Sequence, residues 1–184
     1  MTARSRWNRL GFTLVELMMV VAIVGVLAVL AIYGVRKYIA NSKTTEARNA
    51  LGQISHDATM AFEREQGGTA VLTAKQASAL LRRLCVSSSA VPAAAPAAMK
   101  YQSKTTDWSS DAGWKCLKFS LEQPQYFSYQ YTASDTTSTA GAYAITAHGD
   151  LNGNGVASTF QLNGKVQAGV INTSPTIAEV NPEE

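Results

Sequence analysis

Residues 9–32 read RLGFTLVELMMVVAIVGVLAVLAI, and the apolar run that they open continues to Val35. From Leu17 to Val35 no residue is charged, and counting back to Phe12 adds a single charge, Glu16. About 20 consecutive apolar residues are enough for a helix to cross the hydrocarbon core of a bilayer. The sequence therefore predicts one membrane-spanning helix at residues 12–35.

The charges on either side of this run predict its orientation. Arg4, Arg6 and Arg9 precede it without any acid, and Arg36 and Lys37 follow it. Clustered arginines favour a cytoplasmic N-terminus, so the rest of the chain is expected in the periplasm or outside the cell. Of 16 Lys and Arg residues, the 13 outside the leader balance the 13 acids. A chain with this balance of charge lacks the excess of basic residues that indicates a nucleic-acid partner.

Glu16 distinguishes this helix from simpler membrane segments. A secretory signal has an apolar run of about 7–15 residues and an A-x-A-like cleavage site, and neither feature is present here. A plain single-span anchor leaves Glu16 unexplained, because a carboxylate at membrane depth costs about 2.5–3.5 kcal/mol. We therefore interpret Glu16 as a functional residue that needs a partner.

These residues resemble the type III signal of type IV pilins and pseudopilins, over about residues 9–32. The resemblance implies that a prepilin peptidase cuts between Gly11 and Phe12, that Phe12 is N-methylated, and that Glu16 acts in assembly. The spacing agrees, since Phe12 and Glu16 are four residues apart and share a helix face. The Glu16 carboxylate can neutralise the amine of its own chain or of the next subunit, and so set the register of the helices.

The resemblance also implies the function. We expect a structural subunit of a type IV pilus-like surface filament, supporting motility, adhesion or DNA uptake, and not an enzyme. Its partners would be other pilin subunits, the prepilin peptidase, the inner membrane and the inner-membrane assembly platform. It would cross the inner membrane once before reaching the cell surface. The alternatives are a periplasmic pseudopilin of a type II secretion system and a membrane-anchored binding or adhesive protein.

The fold is expected to be α+β, with a long N-terminal helix packed on a small antiparallel β-sheet, the ladle architecture of pilins. Apolar residues recur every three or four positions from Ala47 to Phe62, which extends the helix to about residue 66. Many major pilins carry a proline where this chain has Tyr33, so a bend near Tyr33 and Gly34 stays open. The predicted segments are the cleaved leader (1–11), the membrane-spanning half-helix (12–35), the amphipathic half-helix (36–66), a variable loop with a short helix (67–115), the sheet (116–171) and a polar, poorly ordered tail (172–184).

Within these segments, local signals predict individual elements. Gly67–Gly68 predicts the end of the long helix, and Thr73-x-x-Gln76 predicts the start of a short one. Alternating residues predict strands from Cys116–Leu121 onward, and Asn163–Gly164 predicts a hairpin turn between two of them. The tyrosines at 126, 129 and 131 are interpreted as sheet packing in preference to a nucleic-acid surface.

Two further motifs carry chemistry. Cys85 and Cys116 bracket a stretch of the chain that includes a Pro/Ala/Ser-rich connector at residues 87–98. In an oxidising compartment they favour one disulfide over two free thiols or a redox pair. Asp150, Asn152 and Asn154 match the opening of a calcium loop, but its twelfth position is Gln161 instead of Glu. A β-turn is favoured over a metal site, and no cofactor is expected. His56 and His148 are interpreted as surface or packing residues.

Overall fold

The structure is a computed structural model that describes residues 11–64, 82–134 and 140–184. Three predictions lie outside these residues: the leader with its arginines, the helix stop at Gly67–Gly68 and the short helix opening at Thr73. The chain divides into two compact units, residues 1–39 and 40–184, and each unit is described by itself.

The chain forms three helices and five strands in the described residues. They are α1 (Leu14–Glu63), α2 (Thr105–Ser109), α3 (Ala112–Leu117), β1 (Ser128–Ala133), β2 (Ala140–Gly149), β3 (Ser158–Gln167), β4 (Val170–Thr173) and β5 (Ala178–Val180). The fold is α+β, as predicted, with a long helix packed against a small antiparallel sheet.

The second half of α1 supplies the helical side of the core. Ala47, Leu51, Ile54, Ala58 and Phe62 are buried, and they follow the predicted three- and four-residue spacing. This spacing places them on one face of the helix, so a single apolar stripe packs inward. The stripe expected from Ala47 to Phe62 is thus buried along α1.

The sheet has the strand order β1-β2-β3-β4, with β5 also paired to β3. Every pair is antiparallel, and β2 and β3 are aligned from Ala140↔Gln167 to Gly149↔Ser158. Tyr131 and Ile145 pair across β1 and β2, and both side chains are buried. Alternation along the strands therefore turns one face of the sheet toward α1.

The predicted strand at Cys116–Leu121 is wrong, because α3 occupies its first residues. Asp111 caps this helix: its carboxylate accepts hydrogen bonds from the N–H groups of Gly113 and Trp114, at 2.8 and 3.1 Å. Trp114 and Leu117 are buried three residues apart, which is a helical spacing. Six residues are too short for apolar alternation to separate a strand from a helix turn.

The predicted hairpin turn at Asn163–Gly164 is also wrong, since both residues lie inside β3. The chain reverses at Ala168 and Gly169, where both residues have positive φ. Gly164 serves packing instead, because a Cβ at this position would lie 2.2 Å from Cζ of Tyr143. The missing side chain makes room for an aromatic ring on the neighbouring strand.

The tail from residue 172 onward was expected to be poorly ordered, and this is wrong. It completes β4 and forms β5, which pairs with β3 from Thr159↔Val180 to Gln161↔Ala178.

The Pro/Ala/Ser connector packs against the sheet. Val91 and Tyr129 exchange backbone hydrogen bonds. Residues of the connector therefore line the outer edge of β1.

Candidate processing and assembly site

The chain enters α1 immediately after the proposed cleavage position. Gly11, Phe12 and Thr13 have no regular secondary structure, and the helix begins at Leu14. The Phe12 side chain is 86% exposed, and no other part of the structure would contact a Cβ on Gly11 within 4 Å. Among the described residues, the Gly11–Phe12 peptide therefore lies outside the helix and is exposed.

Thr13 and Glu16 fix the start of the helix. The Glu16 carboxylate accepts hydrogen bonds from the N–H and the hydroxyl of Thr13, at 2.9 and 2.8 Å. The Thr13 hydroxyl in turn accepts one from the Glu16 N–H, at 3.2 Å. This reciprocal pair is a capping box, and it satisfies two N–H groups that a helix N-terminus otherwise leaves unpaired.

The capping box gives Glu16 a partner that the sequence interpretation missed, although the T-x-x-E signal stands in residues 13–16. In a single chain, the carboxylate is bound by its own Thr13 and not by the amine expected at Phe12. The same oxygen can later accept a cation, because a carboxylate has about four lone-pair positions. The structure therefore places Glu16 at the helix start, next to the position where cleavage would create an amine.

The rest of this unit exposes an apolar surface. Every residue from 11 to 39 is exposed, and the large apolar side chains from Phe12 to Ile39 keep 48% or more of their surface accessible. Patches beyond a few hundred Å² on a protein surface indicate a partner or a membrane. In the described residues, α1 is the one helix long and apolar enough to cross a membrane. A surface of this kind is typical of a segment that lipid or other helices cover.

The predicted disulfide is present. Cys85 and Cys116 are bonded, 31 residues apart in sequence, with their Cα atoms 5.7 Å apart. The bond joins the segment before the connector to the last turn of α3. The two segments also touch at Gly113, where a Cβ would lie 2.7 Å from the carbonyl oxygen of Val86.

Asp150 and its neighbours form the turn between β2 and β3. The two carboxylate oxygens of Asp150 accept hydrogen bonds from the N–H groups of Gly153 and Gly155, at 2.6 and 2.9 Å. The bond from Gly155, more than any other, holds the pKa of this carboxyl below its usual range. Asn152 and Asn154 each accept an N–H two residues further on. Residues 11–64, 82–134 and 140–184 contain no cluster of three His, Cys, Asp or Glu side chains that could hold a metal.

The remaining singled-out side chains lie apart from one another. Tyr129 and Tyr131 are fully buried, so they pack in the core as interpreted. His56 lies on α1, with its Nδ1 3.5 Å from Oδ1 of Asp57. His148 lies on β2, with its Nδ1 3.0 Å from the hydroxyl of Thr159. His148 thus contacts the strand that follows the Asp150 turn.

Comparison with known proteins agrees with the N-terminal geometry. Residues 8–32 match the family described as the prokaryotic N-terminal methylation motif. Similar proteins include the fimbrial protein EcpC of Eikenella corrodens (50% identity over 42 residues, 23% of this chain and 28% of the relative) and the type IV major alpha-pilin of Moraxella bovis (45% over 65 residues, 34% and 38%). Another is the type IV major pilin protein PilA of Myxococcus xanthus strain DK1622 (53% over 49 residues, 26% and 22%).

The chain spans between 22% and 38% of the length of these relatives. No solved structure matches the chain. The matching motif opens α1, and the fold behind it is the predicted helix on an antiparallel sheet. These relatives are named as fimbrial or pilin proteins. Through its methylation motif, the chain is similar to type IV pilins over the part of its length that these comparisons cover.

Proposed function

We propose that this protein is a subunit of a type IV pilus-like surface filament, cut between Gly11 and Phe12 and assembled through the first half of α1. The observation that carries the proposal is the exposed apolar half-helix, residues 14–39, directly behind an accessible Gly11–Phe12 peptide. A bilayer would cover this surface before assembly, and the same half-helices of other subunits would cover it afterwards.

In this mechanism, a prepilin peptidase removes the leader together with Arg4, Arg6 and Arg9. Cleavage creates an α-amine on Phe12, which is then methylated. Glu16 lies four residues further on, in the first turn of α1, and offers its carboxylate to the amine of its own or a neighbouring chain. A subunit that slips along the bundle leaves this charge unpaired in an apolar environment, so correct register is favoured. The assembly platform of the inner membrane would drive the extraction.

Mass spectrometry of the N-terminus tests the processing step. We expect a peptide that begins at methylated Phe12 in sheared surface filaments. The same peptide found in membranes alone would support a pseudopilin or a low-copy filament component instead. An intact start at Met1 or Thr2 in both fractions would refute cleavage at Gly11 and leave a plain membrane anchor.

Two substitutions of Glu16 test the register step. Glu16→Ala removes both the charge and half of the capping box, whereas Glu16→Gln removes the charge but leaves a side-chain oxygen for the Thr13 N–H. If the charge sets the register, both variants are cleaved normally and neither enters sheared filaments. Normal incorporation of Glu16→Gln would refute the charge argument. Failure of Glu16→Ala alone would assign the role to the helix cap.

A further inference from the structure

The C-terminal strand is attached to the sheet by little of its own structure. β5 contains three residues, all exposed, and in the described residues its strand partner is β3 alone. It pairs beside Thr159–Gln161, while β4 covers the same edge further along, beside Gly164–Gln167. A strand of this length, on the outside of a sheet, opens readily by local unfolding.

A charged side chain from α1 holds this strand in place. Arg48 donates two hydrogen bonds to the Glu179 carboxylate, from Nε to Oε1 at 2.8 Å and from Nη2 to Oε2 at 2.9 Å. The guanidinium also lies 5.8 Å from the ring centroid of Phe160, the residue paired with Glu179. The hydrogen bond from Arg48 lowers the pKa of Glu179 below its usual value. Forked charge-assisted pairs of this type are stronger and more directional than neutral hydrogen bonds.

The end of the chain has a second polar attachment. Asn154 donates a side-chain hydrogen bond to Oε2 of Glu184 at 2.8 Å, and the side-chain amide of Asn152 contacts the same oxygen. Both asparagines belong to the turn between β2 and β3. Residues 178–184 therefore cross the edge of β3, and the Glu179 and Glu184 carboxylates are each bound by polar side chains.

We propose that residues 178–184 form a releasable strap over the edge of β3, and that Arg48 is the positioning residue that keeps it closed. Without Arg48, the strap retains its short ladder and the contacts of Glu184. Opening leaves the outward backbone groups of Thr159–Gln161 unpaired, so the sheet acquires an open edge. Because Arg48 belongs to α1, the helix and the sheet edge are coupled through one ion pair. The proposal does not depend on the proposed function.

Hydrogen exchange of the full chain in detergent micelles, followed by mass spectrometry, tests the strap. Arg48→Gln is expected to speed exchange in peptides covering 178–184 and 159–161 about fivefold, and to leave β1 and β2 unchanged. Arg48→Lys keeps the charge without the fork and should fall between. Lys43→Gln is the matched control, because it removes a cation from the same helix that lies over Tyr126 and not at the strap.

A second variant keeps the test valid if Arg48→Gln unfolds the chain. Glu179→Gln breaks the same ion pair from an exposed strand and leaves the helix intact, so it should speed exchange in the same two peptides. Salt at about 0.5 M should speed exchange there in the wild type but not in Glu179→Gln. Unchanged exchange of 178–184 in Glu179→Gln, or a uniform increase across the whole chain, would overturn the proposal.

Discussion

Replacing both cysteines by serine should cost much of the stability of the second unit while leaving its native contacts in place. The bond between Cys85 and Cys116 closes a loop with a sequence separation of 31 residues. Loop-closure entropy for this length gives about 3–4 kcal/mol, which the bond contributes by restricting the unfolded chain. The segments it joins still meet at Gly113 without it, so the folded state should change little.

Tryptophan fluorescence is the appropriate assay, because Trp108 and Trp114 are buried beside this bond and their rings lie 5.0 Å apart. We expect the thermal midpoint of Cys85→Ser/Cys116→Ser to fall by about 8–16 °C. Wild-type protein treated with a reductant is the control and should melt with the double variant. A loss below about 1 kcal/mol would refute the loop-closure argument and show that the unfolded chain is already restricted.

Three further predictions concern the second unit. Asp111→Ala should destabilise the second unit by about 1–2 kcal/mol through loss of a helix cap. Burial raises the pKa of Asp111, but the hydrogen bonds that it accepts outweigh this effect and lower the pKa, so its stabilisation is present above the unfolded value of 3.8 and is lost as the pH falls through the folded pKa. Thermal melts from neutral pH to pH 2.5 would detect this loss. Gly164→Ala should lower the free energy of unfolding by about 1–3 kcal/mol, because the new methyl group meets the buried ring of Tyr143. Gly52→Ala, in open space on α1, should raise it by about 1 kcal/mol. Urea unfolding that ranked the two variants equally would contradict the packing argument. Chelator should leave the melting midpoint unchanged, because backbone N–H groups occupy the Asp150 carboxylate; a midpoint raised by added calcium would contradict the turn interpretation.

Features that follow from local periodicity could be predicted from the sequence. The membrane-length run, the stripe on α1 and the alternation around Tyr129 and Tyr143 depend on neighbours within a few positions. The capping box is equally local, because Thr13 and Glu16 are three residues apart. The prediction paired Glu16 with the amine at Phe12 and not with Thr13.

The errors arose where distant contacts override local signals. Asn-Gly is a strong turn dipeptide, yet Gly164 continues a strand because Tyr143 needs the space beside it. The polar tail is ordered through Arg48 and Glu179, which are 131 residues apart in sequence. No window along the chain could have related these two residues. At the candidate site, the residues were predictable, but the non-helical backbone at Gly11 and Phe12 was not.

One edge of the sheet is lined by the connector and the other is formed by the short strands β4 and β5, and this has a consequence for crowding. Residues of the connector, including Ser88 and Val91, bond to the free side of β1, and β4 and β5 line β3. In a filament, copies of this unit would be tethered at millimolar effective concentration, where bare strand edges would join neighbours indiscriminately. A covered edge on one side and short strands on the other limit such joining, so the order in the assembly can be set largely by the helices.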